Sequence, residues 1–211
     1  DISIIYMNKK QNKNTNAILK RGINAYSQIK YEKAYELLIE LSESGNSEAQ
    51  FYIGCMYRDG NGIIQNYAQS AYWFEQAAKL GHASAQNILG LMYEEGDGVD
   101  QNDIKSAYWY LQSAEQGISD AQYNLGVVYE DGKGLPQDNE KAIYWYELAA
   151  EQEDQDAQYR LGILYENTEK NNEQAAYWYE KAAEQGHAEA QFFLARMYEH
   201  GIGVHNNYIK S

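Results

Sequence analysis

A tryptophan recurs at Trp73, Trp109, Trp145 and Trp178, with spacings of 36, 36 and 33 residues. The dipeptide Ala-Gln keeps the same register, beginning at Ala49, Ala85, Ala121, Ala157 and Ala190, with spacings of 36, 36, 36 and 33. Two independent markers sharing one period mean that a single supersecondary unit is copied along the chain. Such a chain folds as a stack in which each unit buries its apolar face against its neighbours, not around one central core.

Each full unit repeats the same residue order. In the second unit it reads Ala85, Leu89, Gly90, Tyr93, Gly96, Gly98, Val99, Lys105, Trp109, Tyr110, Ala114 and Gly117. Ala85, Leu89 and Tyr93 fall on one helical stripe, and Trp109 and Ala114 share another, the pattern of paired amphipathic helices. The spacing therefore predicts one helical hairpin per unit. Gly60, Gly96, Gly132 and Gly201 are placed to end the first helix in the left-handed conformation that costs glycine least. Gly54, Gly90, Gly126 and Gly162 fall inside that helix, at about 1 kcal/mol relative to alanine, and so are expected to mark close helix approach. The fifth unit has Ala195 at that position.

These residues closely resemble the Sel-one-like repeat, a relative of the tetratricopeptide repeat with a longer, glycine-bearing loop between its helices. The resemblance covers residues 49–211 and implies an all-α fold, a right-handed α-solenoid of antiparallel helix pairs. Its divisions are 49–84, 85–120, 121–156, 157–189 with a shortened loop, and a partial fifth repeat over 190–211. Residues 13–48 align as a capping tetratricopeptide-like hairpin, with helices expected near 16–28 and 31–44, and residues 1–12 read as a flexible lead-in. The fourth repeat replaces Gly-x-Gly with Asn167, Thr168, Glu169 and Lys170. Asn207 to Ser211 align with Asn102 to Ser106, so the sequence is expected to stop inside a helix, where the open repeat offers a route to self-association. Asp1 in place of an initiator methionine leaves room for a removed signal peptide, and the compartment stays open between bacterial cytoplasm and export.

Composition narrows the function. The formal charge is −14, from 31 acidic and 17 basic residues, which opposes binding to nucleic acid phosphates or anionic lipid and favours a basic partner. No run approaches the roughly 18 apolar residues of a membrane span, so no membrane insertion is expected. Cys55 is the single cysteine, and the four histidines never stand three or four apart, so neither a thiolate cluster nor a helical histidine pair for a metal is expected. The Gly-x-Gly turn lacks the strand and fuller fingerprint of a phosphate loop. Asp97, Asp100 and Asp103 lack the ligand order of a calcium loop. Paired carboxylates are too abundant to nominate an acid and base. The chain reads as a non-enzymatic protein with no cofactor and no metal.

By resemblance to tetratricopeptide arrays, the first helix of each repeat lines a concave groove with positions two, six, nine and ten after the repeat alanine. Position two holds Phe51, Asn87, Tyr123, Tyr159 and Phe192; position six holds Cys55, Leu91, Val127, Ile163 and Arg196. Position nine holds Arg58, Glu94, Glu130, Glu166 and Glu199; position ten holds Asp59, Glu95, Asp131, Asn167 and His200. These acids sit in the last turn of their helices, where the macrodipole opposes them by about 0.3 to 1 kcal/mol each. The expected site is a partner-binding groove of Phe51, Tyr123, Tyr159, Phe192, Leu91 and Ile163 with Asp59, Glu94, Glu95, Glu130, Asp131, Glu166 and Glu199, taking a basic and hydrophobic protein segment. Against it stand pairing of the acids with nearby cations and packing of the aromatics between repeats. Tyr72, Tyr108, Tyr144 and Tyr177 form a second candidate surface, while Trp73, Trp109, Trp145 and Trp178 are expected to be buried scaffold. The resemblance further implies a scaffold or adaptor, with an immunity protein that neutralises a secreted bacterial toxin as the alternative. The secreted, penicillin-binding branch of the family carries a cysteine pair in each repeat, and one cysteine argues against it.

Overall fold

The computed structural model describes residues 2–168 and 170–204, with side chains from Lys13 onward. Among the described residues there are helices and turns and no strand. The helices are α1 (Ile2–Ser27), α2 (Tyr31–Glu43), α3 (Ser47–Asp59), α4 (Tyr67–Lys79), α5 (Ala83–Glu95), α6 (Asp103–Ala114), α7 (Ser119–Asp131), α8 (Asn139–Ala150), α9 (Gln155–Asn167), α10 (Asn172–Glu184) and α11 (Ala188–His200). The chain packs as two units, residues 1–109 and 110–211. In the first, α1 packs on α2, α2 on α3, α3 on α4 and α4 on α5. In the second, α7, α8, α9, α10 and α11 pack in the same consecutive manner, and α9 also reaches α11. This is the α-solenoid arrangement of stacked helix pairs. α1 begins at Ile2, well before the expected start near residue 16. The Asn- and Lys-rich stretch contains neither proline nor glycine, and its residues cost a helix only tenths of a kcal/mol each.

The Ala-Gln marker has a direct packing cause. Ala49, Ala85, Ala121, Ala157 and Ala190 are fully buried, and Gln50, Gln86, Gln122 and Gln158 are nearly so. Each glutamine reaches back to the preceding helix: Gln50 Nε2 donates to the Ser42 carbonyl at 3.0 Å, Gln86 to Ala78 at 3.1 Å, Gln122 to Ala114 at 3.3 Å and Gln158 to Ala150 at 3.2 Å. The last carbonyls of a helix have no intrahelical donor; each of these accepts from the turn amide three residues on, and the buried glutamine supplies a second donor.

The tryptophans are not the centre of the core. Trp73 is buried, but Trp109, Trp145 and Trp178 are half-buried. The residue after each, Phe74, Tyr110, Tyr146 or Tyr179, is fully enclosed. These rings need the helical glycines. A Cβ on Gly54 would lie 2.9 Å from the Phe74 ring, and one on Gly126 would lie 2.6 Å from the Tyr146 ring; Gly162 faces Tyr179 in the same way. The capping hairpin uses the same device with an aliphatic partner, Gly22 against Leu38. The expected close approach is therefore observed at Gly54, Gly126 and Gly162.

The caps follow the sequence as expected. Gly60, Gly96, Gly132 and Gly201 each end a first helix in the left-handed region. Glu153 also adopts φ 67°, at the register where the other repeats carry Gly45, Gly81, Gly117 and Gly186 with positive φ. A left-handed residue with a Cβ costs roughly 1–2 kcal/mol. Glu153→Gly is therefore expected to raise stability by about 1 kcal/mol in urea melts, whereas the usual cost of glycine would lower it.

Candidate functional site

Position nine resolves into structure. Tyr146 Oη donates to Glu130 Oε2 at 2.7 Å, and Tyr179 Oη donates to Glu166 Oε2 at 3.0 Å. Arg160 Nη1 stands 3.6 Å from Glu130, and Arg196 Nη2 is 2.8 Å from Glu166. A buried phenol needs an acceptor, and a carboxylate at the end of the facing helix provides it. That requirement outweighs the unfavourable macrodipole. The sequence carries the signal in its covariation: repeats with Tyr110, Tyr146 and Tyr179 hold Glu94, Glu130 and Glu166, while the repeat with Phe74, which has no hydroxyl, holds Arg58. Glu130 and Glu166 thus belong to the fold, and Arg160 and Arg196 reduce the negative charge counted from the columns alone.

Burial first, and then the facing carboxylate, raises the Tyr146 phenol far above its ordinary value; burial followed by Glu166 does the same for Tyr179. A hydrogen bond with Tyr57 and then burial push Tyr35 up to about 12. For each, the unfolded chain releases its proton near pH 10 while the folded chain holds it, so the stabilisation is complete below that pH and lost as pH rises toward the folded value. Urea midpoints are expected to fall from about pH 10 upward, the unfolding free energy dropping with a slope approaching 1.4 kcal/mol per pH unit for each fully buried tyrosine. Midpoints that stay flat to pH 11.5 would contradict this.

The aromatic column is divided. Phe51 stacks on His82 at 4.6 Å, and Tyr159 stacks on His187 at 4.5 Å. Those histidines cap α5 and α11, accepting at Nδ1 from the Ala85 and Ala190 amides. Tyr123 lies against the Tyr146 ring at 5.7 Å, and half-buried Ile163 packs in the cluster around Tyr179. Phe51 and Tyr159 thus pack on the histidine caps of the next first helix, and Tyr123 and Ile163 pack against the buried tyrosine of the helix that follows their own, whereas Phe192 is 66% exposed. Cys55 is buried, and desolvation pushes its thiol up to about 12. A thiol reagent at pH 8 is expected to leave it unlabelled until the protein unfolds, because the thiolate is the reactive form; rapid labelling of the native chain would contradict this.

Position ten is different. Asp59, Leu91 and Glu95 come together in one cleft of about 450 Å³ with Arg58, Gln65, Tyr67, Ile88, Met92 and Asp97. Arg58 forks onto Asp59 at 2.7 and 3.2 Å, so Glu95 and Asp97 set the residual negative charge of the cleft. Leu91 is 42% exposed and supplies an apolar floor. In the second unit Asp131 is exposed beside Lys133 at 3.1 Å, and Glu199 is exposed at the end of α11. Glu94 is half-buried. Tyr72, Tyr108, Tyr144 and Tyr177 are each about half exposed and stand edge-on to the adjacent tryptophan at 4.9 to 5.1 Å. Among the described residues no His, Cys, Asp and Glu cluster could hold a metal ion, and no helix is long and apolar enough to cross a membrane. Asn207 to Ser211, which carry the self-association expectation, lie outside the described residues.

The Sel1 repeat family model matches residues 47–82, 83–118, 119–154, 155–187 and 188–211. A Sel1 repeat protein from Oxalobacter formigenes is 34% identical over 89% of this chain and 76% of its own, with a TM-score of 0.83. A protective antigen of uropathogenic Escherichia coli with an SLR fold is also 34% identical, over 95% of this chain but 45% of its own, with a TM-score of 0.87. An immunity protein from Pseudomonas aeruginosa shares the fold at 20% identity, over 88% of this chain and 71% of its own, with a TM-score of 0.52. No curated protein matches the chain. The chain belongs to the Sel1 repeat family, whose members are generally protein-interaction scaffolds.

Proposed function

We propose that this protein is a non-enzymatic scaffold that holds a basic segment with hydrophobic anchors from a partner protein in the acidic cleft between α3 and α5. The observation that carries this reading is the cleft between α3 and α5, where exposed Leu91 lies beside Glu95 and Asp97. Glu130 and Glu166 are half-buried under tyrosine hydroxyls, whereas Glu95 is exposed. Phe192, Asp131 and Glu199 offer the same chemistry in the second unit. Complementary charge accelerates encounter and selects the partner, while an apolar anchor supplies affinity. The net charge of −14 acts in the same direction.

Calorimetry with a basic amphipathic peptide and with its charge-inverted twin tests this reading. The basic peptide is expected to bind, more weakly as salt rises, and Glu95→Lys with Asp97→Lys is expected to weaken it at least tenfold, about 1.4 kcal/mol. Equal binding of both peptides, or indifference to the two substitutions, would refute it. The immunity reading is the second one, supported by the acidity of the chain and by the fold shared with an immunity protein. Its test is protection from growth arrest when the chain is co-expressed with a toxin encoded beside it.

A further inference from the structure

A second cleft, of about 400 Å³, opens at the other end of the first repeat, lined by Gly45, Gln50, Tyr72, Trp73 and Leu80 among others. It shares no residue with the acidic cleft. Its distinctive group is Gln50, 5% exposed, whose Nε2 is held by the Ser42 carbonyl while its Oε1 is buried with no hydrogen-bond partner. An enclosed acceptor left unmade is costly and calls for an explanation.

The later repeats show what belongs there. Gln122 Oε1 accepts from Gln152 Nε2 at 2.7 Å, and Gln158 Oε1 accepts from Gln185 Nε2 at 2.9 Å. Gln152 Nε2 also donates to the Gly117 carbonyl at 3.1 Å. In repeat register, Gly117 corresponds to Gly45, and Gln152 and Gln185 correspond to Leu80. The first repeat therefore keeps the acceptor and the glycine of this carboxamide site but replaces its donor with a leucine that is 58% exposed.

We infer that the cleft at Gln50 receives a glutamine side chain from a partner protein, its amide N–H groups reaching Gln50 Oε1 and the Gly45 carbonyl and its methylenes lying against Trp73, Tyr72 and Leu80. The chain supplies this occupant itself in two other repeats, which identifies the ligand chemistry as a primary carboxamide on a short aliphatic stem. This site stands independently of the acidic cleft, and either can fail without the other.

The test is NMR titration of the intact chain with N-acetyl-glutamine methylamide, with N-acetyl-norleucine methylamide as an apolar control of similar length. Saturable shifts are expected in the millimolar range at the Gln50 side-chain amide, the Gly45 amide and the Trp73 indole, for the glutamine probe alone. Leu80→Gln should supply the donor internally, abolish those shifts and raise the melting temperature by about 2 to 4 °C. Equal shifts with the norleucine probe, shifts that persist in Leu80→Gln, no shift up to the solubility of the probe, or a lowered melting temperature in Leu80→Gln would each overturn the inference.

Discussion

Truncating Tyr146 to alanine is expected to lower stability by about 3 to 5 kcal/mol, the range for removing a large aromatic from a core. The ring is fully buried between α7 and α8, so the space left behind has little means of collapse. The same change removes the donor to Glu130, which stays half-buried with Arg160 as its neighbour. Tyr146→Phe separates the two contributions: it keeps the ring and is expected to cost about 1.5 to 3 kcal/mol, the range for a hydrogen bond to a charged group. Trp145→Ala should cost less than Tyr146→Ala, because half-buried Trp145 has less apolar area to lose. Equal or reversed losses in urea melts would return the centre of the core to the tryptophans.

Gly126→Leu is expected to cost about 3 kcal/mol, at the upper end of overpacking. In an unconstrained helix the sign would be opposite, since replacing glycine favours the helix by about 1 kcal/mol. Here even the first carbon of the new side chain falls 2.6 Å from Cδ1 and Cε1 of Tyr146. That ring is enclosed and has nowhere to swing, so α7 and α8 must separate. Combining Gly126→Ala with Tyr146→Ala should cost less than the sum of the two, because truncating the ring removes the atoms the new Cβ meets. Strict additivity in the double-mutant cycle would contradict direct contact as the cause.

The fold was legible because its determinants are periodic. A 36-residue register with a glycine cap in fixed place leaves a helical hairpin as the unit, and Ala85, Leu89 and Tyr93 then fix its inward stripe. The extent of α1 was not legible, since its Asn and Lys residues neither break a helix nor supply a start signal. Which of two adjacent aromatics takes the centre of the core is not legible from periodicity: Trp73, Trp109 and Trp178 pack on the core clusters, and the helical glycine opposite Phe74, Tyr146 and Tyr179 marks those successors as the enclosed rings. The acidic column is visible in the sequence as a departure from helix electrostatics. Its cause at Glu130 and Glu166 is nevertheless a buried phenol across the hairpin, visible in the sequence only once Phe74 is paired with Arg58 and the tyrosines with glutamates. Gln50 shows the limit of column reading, because its missing donor is noticed only when the later repeats display Gln152 and Gln185 in place.

On the proposed function the acids divide: those under a tyrosine hydroxyl maintain the fold, and Glu95 and Asp97 beside Leu91 hold the partner. Melting temperature and affinity for the basic amphipathic peptide, measured side by side for Glu130→Gln with Glu166→Gln and for Glu95→Lys with Asp97→Lys, separate the two groups. The first pair is expected to lower the melting temperature while retaining affinity within about threefold, and the second to keep the melting temperature while losing affinity at least tenfold. If the first pair loses the peptide at an unchanged melting temperature, the buried acids are the binding residues and the division is wrong.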